Sequence, residues 1–508
     1  MLTSDLIAIL PEIILTLAGI AAILAGAFFE KSGDRWAAVA AHTGLVGAAV
    51  AITFQWGHSG YAFGGMFLAD PFSIFFHLLF LIIAALVALS GGEYLLREKL
   101  AAAEFYALLL FGTVGMGIMA SANELILVFI GLEISSLASY VLAGYRRDVG
   151  TSSEAALKYF LLGSFATAFF LYGIALMFGA TGSTRLSQIQ QALLAGRNSL
   201  AAAEPASVTA SAAGQALTSL PIQFPASLAG LAIALVFVGL AFKVSAAPFQ
   251  VWTPDVYQGA PTPVTAFLST GPKAAAFAAF LRIFMAGFAS FSGNWSWLLW
   301  IAAALSMFLG NLGALVQNNV KRMLAYSSIA HAGYILVAFT AHSSDGTSAV
   351  VFYLAAYAFM NIGAFIVVSH VGGRGERYLD IDDFAGLGFR SPLLAGTLTV
   401  FLLSLIGIPL TAGFFGKFYI FRAAVHGDLI RLTVLGVLNS AIAAYYYLRV
   451  LVSMYMTSPV GEVPVEPVGP GVRLALIVSV AGTFALGIFP HSALRLATQA
   501  AEWVERAR

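Results

Sequence analysis

The chain has 508 residues, 25 Lys and Arg against 24 Asp and Glu, 60% hydrophobic and 10% charged residues, and a mean hydropathy of +0.89. A soluble domain carries about 25% charged residues, so a water-soluble surface over this length is excluded and lipid must cover much of the molecule. The near-neutral charge gives no footprint for nucleic acid, and the absence of cysteine excludes Cys-ligated iron–sulfur clusters, Cys-zinc sites, disulfides and thiol catalysis in this chain.

A hydrocarbon core roughly 30 Å thick takes about 20 apolar residues per helix. That rule predicts spans near 5–28, 36–56, 71–94, 103–121, 123–144 and 157–180, the first being a membrane span and not a cleaved signal. After a polar interval come spans near 228–250, 261–287, 293–316, 322–341, 348–370, 392–423, 429–456 and 472–490, about fourteen in all. The segments are apolar all round, which fits helices and not the alternating strands of a barrel. The interval 183–227 reads as an extramembrane loop with one short helix, and 461–471 and the tail ERAR read as solvated connections.

Basic residues set the expected orientation. Lys31/Arg35, Arg97/Lys99, Arg146/Arg147, Lys321/Arg322, Arg374/Arg377/Arg390 and Arg473 all follow odd-numbered spans. Both termini are therefore expected on the periplasmic side.

An ionisable side chain near the bilayer centre costs about 2.5–3.5 kcal/mol on insertion scales and is a functional candidate by default. Lys158, Lys243, Lys273, Lys417 and Glu133 stand out on this ground. Lys158 lies near the start of its span, where snorkelling to the interface is the competing reading. Glu133 shares a helical face with Ser136 and Tyr140 in LILVFIGLEISSLASYVLAGY, a pattern suited to pairing with a lysine on another helix. A glutamate that only staples two helices has the same local pattern. Lys243 precedes Pro248, Lys273 follows Gly271-Pro272, and Lys417 follows Pro409, Gly413 and Gly416. The expectation is three interrupted helices lining a hydrated path. In KRMLAYSSIAHAGYIL, Ser327, His331 and Tyr334 share a face, which makes His331 either a relay or a satisfied core histidine.

Desolvation disfavours an ammonium group and a nearby carboxylate favours it. A lysine whose carboxylate neighbour changes its influence would thus capture or release a proton. Coupled sites of this kind titrate as a group.

The stretches GLEISSLASYVLAGY, EAALKYFLLGSF, GLAFKVSAAPFQVWTPDVYQGAPTPVTAFLSTGPKAAAF, NNVKRMLAYSSIAHAGYIL and IGIPLTAGFFGKFYIF closely resemble the subunit-N branch of the antiporter-like membrane subunits of bacterial proton-pumping NADH–quinone oxidoreductase, respiratory complex I. The resemblance runs through essentially the whole chain. It implies an all-α polytopic membrane protein of about fourteen helices, with helices 4–8 and 9–13 as two inverted five-helix repeats and helices 7 and 12 discontinuous. On that pattern, 1–100 holds helices 1–3, 101–290 the first repeat, 291–458 the second, and 459–508 helix 14 and the tail. By the same resemblance, Glu133 matches a helix-5 glutamate paired with the helix-7 lysine, Lys243. Lys158 and Lys273 match the connecting lysines of helices 6 and 8, and Lys417 the exit-side lysine of helix 12. Gln250 stands where many relatives have histidine, and glutamine takes up no proton, so a relay through that position is not expected.

The implied function is proton translocation through Glu133, Lys158, Lys243, Lys273, His331 and Lys417 with water, coupled to electron transfer in other subunits. This chain itself is expected to hold no cofactor or metal, with NADH, FMN, iron–sulfur clusters and quinone in partner subunits. Expected partners are the other membrane subunits, especially subunit M and the small subunits K and J, and lipids, in the bacterial inner membrane. A sodium/proton antiporter-type subunit and a non-conducting structural subunit are the alternatives.

Overall fold

The computed structural model describes residues 2–29, 32–56, 60–202, 226–458 and 466–506. Lys31, most of the second half of the 183–227 interval and much of 461–471 therefore lie outside the described residues.

The elements in chain order are α1 (Leu2–Ala8), α2 (Leu10–Phe28), α3 (Gly33–Gln55), a hairpin of β1 (Gly60–Ala62) and β2 (Phe67–Ala69), α4 (Pro71–Glu98), α5 (Ala102–Ser121), α6 (Leu125–Ala143) and α7 (Gly150–Thr181). Then follow α8 (Leu186–Ala202), α9 (Ala226–Lys243), α10 (Thr253–Gly259), α11 (Thr262–Leu281), α12 (Ser292–Leu315), α13 (Val320–Thr340) and α14 (Ser344–Val371). The last are α15 (Leu387–Arg390), α16 (Pro392–Ile406), α17 (Ala412–His426), α18 (Ile430–Met456), α19 (Pro470–Ile488) and α20 (Pro490–Arg506). Among the described residues, twelve helices are long and apolar enough to cross a membrane, and two apolar helices, α9 and α16, are shorter. The short ones belong to interrupted spans, since α9 ends at Lys243 and resumes as α10, and α16 ends at Gly407 and resumes as α17.

The core is deepest around α11, every residue of which is buried, with α13 and α14 beside it. The peripheral helices α2, α3, α7, α18 and α19 keep broad outward faces of Leu, Ile, Val and Phe, the surface lipid covers in place of water.

One expectation needs correction. Pro272 interrupts nothing: α11 runs unbroken from Thr262 to Leu281. Proline at position i removes the donor to the carbonyl at i−4, here Leu268, and the Tyr257 hydroxyl donates to that carbonyl at 3.3 Å. A side chain from α10 thus satisfies the freed acceptor, so the helix does not have to open. Among the described residues two spans are broken, not three. Residues 490–506 form α20, which packs on α4 and α14 and buries Ala497, Ala500, Ala501 and Val504. Among the described residues of the interval after α7, Leu186–Ala202 form the helix α8.

Candidate functional site

Lys243 is the last residue of α9, where the chain leaves the helix through Val244 and the positive-φ Ser245 (φ 62°). Its buried ammonium donates to Ser136 Oγ at 2.8 Å and to the Tyr159 hydroxyl at 3.4 Å, and lies 5.8 and 5.5 Å from the ring centres of Tyr140 and Tyr159. Ser136 and Tyr140 come from the face of α6 that also carries Glu133. The carboxylate itself is not bonded to Lys243. Glu133 is half-buried, its Oε1 has no hydrogen-bond partner, and its charge acts on Lys243 across a gap. Ser136 occupies the bonding position expected of the glutamate.

Lys273, buried at the middle of α11, donates to the carbonyl of Ser328 at 2.9 Å and forms a short hydrogen bond to the Ser328 hydroxyl. The next residue back on α13, Ser327, bonds the hydroxyl of Tyr447. Tyr447 in turn meets Nε2 of His331 at 3.2 Å, and Tyr353 meets Nδ1 of the same ring at 2.5 Å. Both ring nitrogens therefore face hydroxyls, which can donate or accept. His331 feels the charges of Lys273 on one side and Lys417 on the other.

Lys417, on α17, reaches back across the second break. It donates to the carbonyls of Leu405 and Ile406 at 3.0 and 2.9 Å and to Ser440 Oγ at 2.7 Å. Those carbonyls end α16, where the backbone has no further intrahelical donors and the dipole is negative. The ammonium also sits 4.9 Å from the Tyr334 ring centre. Behind it, Asn311 joins Tyr334, Asn439 and Tyr446, at 3.3, 3.1 and 3.1 Å.

Lys158 stands apart from this line. Its side chain is 41% exposed and pairs with Glu154 and Asp255, both at 2.7 Å, with Arg322 bonding the other Asp255 oxygen at 2.8 Å. These groups line a cavity of about 400 Å³ together with Arg146, Glu376 and Arg377. The neighbouring residue, Tyr159, is the one that turns inward to Lys243. Gln250 lies half-buried with an unbonded Oε1 within the first break, between α9 and α10.

Sequence reasoning passed over Tyr353, Tyr447, Ser328 and Ser440, all of which bond the line, and Asn439, which bonds Asn311 behind it. Tyrosine and serine are common in membrane helices, and nothing in their local spacing announces a contact. A polar residue count per apolar span would have flagged Asn311 and Asn439, which are both fully buried. Among the described residues, no group of His, Cys, Asp and Glu could hold a metal ion.

Residues 122–443 match the transmembrane family described as NADH:quinone oxidoreductase/Mrp antiporter. NADH-quinone oxidoreductase subunit N 1 of Solibacter usitatus is 53% identical, over 98% of this chain and 97% of its own length. The subunit N of Trichlorobacter lovleyi is 46% identical over 99% and 98%. Among solved structures, a chain of respiratory complex I from Thermus thermophilus with bound aureothin is 37% identical, covers 96% of this chain and 99% of that one, and superposes with a TM-score of 0.77. Identity of this extent over nearly the full length of both chains, together with the family match over 122–443, means that the chain belongs to the antiporter-like membrane subunits of NADH–quinone oxidoreductase, in the subunit N branch.

Proposed function

We propose that this chain translocates protons across a bacterial inner membrane as the N-type membrane subunit of an NADH–quinone oxidoreductase, driven by electron transfer in its partner subunits. The observation that carries the reading is the buried line Lys243, Lys273, His331, Lys417, in which every member is met by hydroxyls or carbonyls inside an apolar core. Such groups are expensive in a membrane interior unless they are used. Glu133 acts on Lys243 as the electrostatic switch, Lys273 and His331 connect, and Lys417 stands toward the exit. Lys158, with Asp255 and Arg322, belongs to the hydrated entrance.

The two breaks, each beside a buried lysine, support two inverted repeats over helices 4–8 and 9–13, within 101–290 and 291–458. Both termini face the periplasm on this reading, and the neighbours in the complex are subunit M and the small subunits K and J. The names of the relatives support membership in an NADH–quinone oxidoreductase complex.

The test is Lys243→Ala and Glu133→Ala in the assembled complex, reconstituted in vesicles with a pH-sensitive dye. Loss of most proton pumping per NADH oxidised is expected from each. Full pumping in both would leave only a scaffold role.

A further inference from the structure

Outside the lysine line, a second set of ionisable groups is buried among the N-terminal helices. Glu12 on α2 and His77 on α4 meet with Oε1 and Nε2 2.5 Å apart, both side chains under one-tenth exposed. His77 Nδ1 is 2.6 Å from the carbonyl of Ser73, one turn earlier on the same helix. A carbonyl only accepts, so Nδ1 carries a hydrogen. Without a further proton, Nε2 and the carboxylate would both be acceptors and would repel at this distance. One proton must therefore lie between them, either on Nε2, as an imidazolium–carboxylate pair, or on Oε1, as a neutral pair. It passes from one atom to the other with no other bond made or broken.

The site is built, not incidental. Gly117 of α5 backs it, and a Cβ there would fall 2.7 Å from Glu12 Oε1 and 2.8 Å from His77 Nε2. The other Glu12 oxygen, Oε2, is buried and has no hydrogen-bond partner. The charges acting on His77 are those of Glu12 and Asp70. Asp70 caps α4 through Ser73, accepting from its backbone N at 2.7 Å, and takes a 2.6 Å bond from Arg282. Arg282 opens the π turn that continues α11, the helix of Lys273. Arg282, Asp70, Ser73, His77 and Glu12 thus form a continuous chain from the central helix to the N-terminal helices.

From this geometry we infer that Glu12 and His77 form a single-proton binding site, separate from the lysine line. Arg282 and Asp70 are positioning residues that hold the compensating charge. The site is independent of whether the lysine line conducts.

Infrared difference spectroscopy of the intact complex, stepped through pH, tests it. A carboxyl signal present in the native complex and absent in Glu12→Gln is expected, with an imidazole signal that shifts at the same midpoint and is lost in His77→Gln. Both signals should persist in Lys243→Ala, which separates this site from the lysine line. Should Glu12→Gln fail to assemble, the imidazole signal in native and His77→Gln complexes decides the matter. Spectra of the variants that superimpose on the native ones at every pH would overturn the inference and make the pair a static staple.

Discussion

Lys321 and Lys273 are both buried, yet their partners set them to different tasks. Lys321 donates to the Glu376 carboxylate and the Ala260 carbonyl, both at 2.7 Å. An ammonium held by a carboxylate is fixed in place, because losing the proton strands a buried anion. Lys273 and Lys417 have only neutral oxygens as bonding partners, so no carboxylate holds the proton in place. At His331 the useful partner is the Tyr447 hydroxyl, shared with Ser327. Tyr447→Phe keeps the ring and deletes that hydroxyl. It should reduce proton pumping well below native while quinone reduction by NADH is retained, and cost about 1–3 kcal/mol in stability for the two polar groups left unpaired. Pumping at the native level in this variant would remove Tyr447 from the path. The lysines of the line were legible in the sequence because a charge in an apolar run is rare, whereas Lys321, equally buried, stands beside Arg322 at a span end and read as a loop cation. For Lys158, whether it faces the core or a polar cavity depends on the rotation of α7.

At the scale of elements, the two breaks differ from the proline in α11 by what meets the freed backbone. At the second break, Gly407 has φ 97°, and Lys417 takes up the last carbonyls of α16. Gly413 packs so closely on α16 that a Cβ would fall 1.8 Å from the Ser404 carbonyl oxygen. Gly413→Ala should therefore push α17 away from α16, at a cost of about 1–3 kcal/mol for overpacking, and lower the melting temperature of the complex. Gly396→Ala, where no atom lies within 4 Å of the added Cβ, is the control expected to change nothing. Equal melting of the two variants would refute the tight contact. Proline and glycine in the sequence located both real breaks, but they also suggested a false one at Pro272. The Tyr257 hydroxyl that closes it comes from another helix, so no local pattern records it.

For the whole molecule, the Arg374–Glu376 segment ties the first half of the chain to the second. Glu376 accepts from the Thr262 backbone N and hydroxyl at the start of α11, both at 2.7 Å, and from Lys321 at the start of α13. Glu98 of α4 accepts from the Gly375 backbone N at 2.9 Å. Burial alone would raise the Glu376 carboxyl, but Lys321 and Thr262 outweigh it and hold the group below the usual glutamate value. A carboxyl depressed in the folded state contributes stability above its unfolded pKa and loses it as pH falls through the lower folded value. Acid should thus loosen this junction only below the ordinary glutamate range. Glu376→Gln should abolish that part of the acid dependence and destabilise the protein by about 3–5 kcal/mol, since Lys321 is left buried without its anion. Thermal melts of both forms across acidic pH check this, and parallel curves would contradict it.

The sequence by itself determined that the chain lives in a membrane, where two of its spans break and that Lys243, Lys273 and Lys417 lie inside them, though not that Glu12, His77 and Arg282 do. These are local properties: hydropathy adds along the chain, and a missing backbone donor or a lysine among leucines is visible from its neighbours alone. Only the tertiary structure decided that Ser136 and not Glu133 bonds Lys243, that Tyr353 and Tyr447 hold His331, and that Glu12 meets His77 across 65 positions of sequence. Helices apolar on every side carry little periodic signal of which face turns inward. The partner of each buried polar group was therefore set by helix rotation and packing, which no single segment encodes.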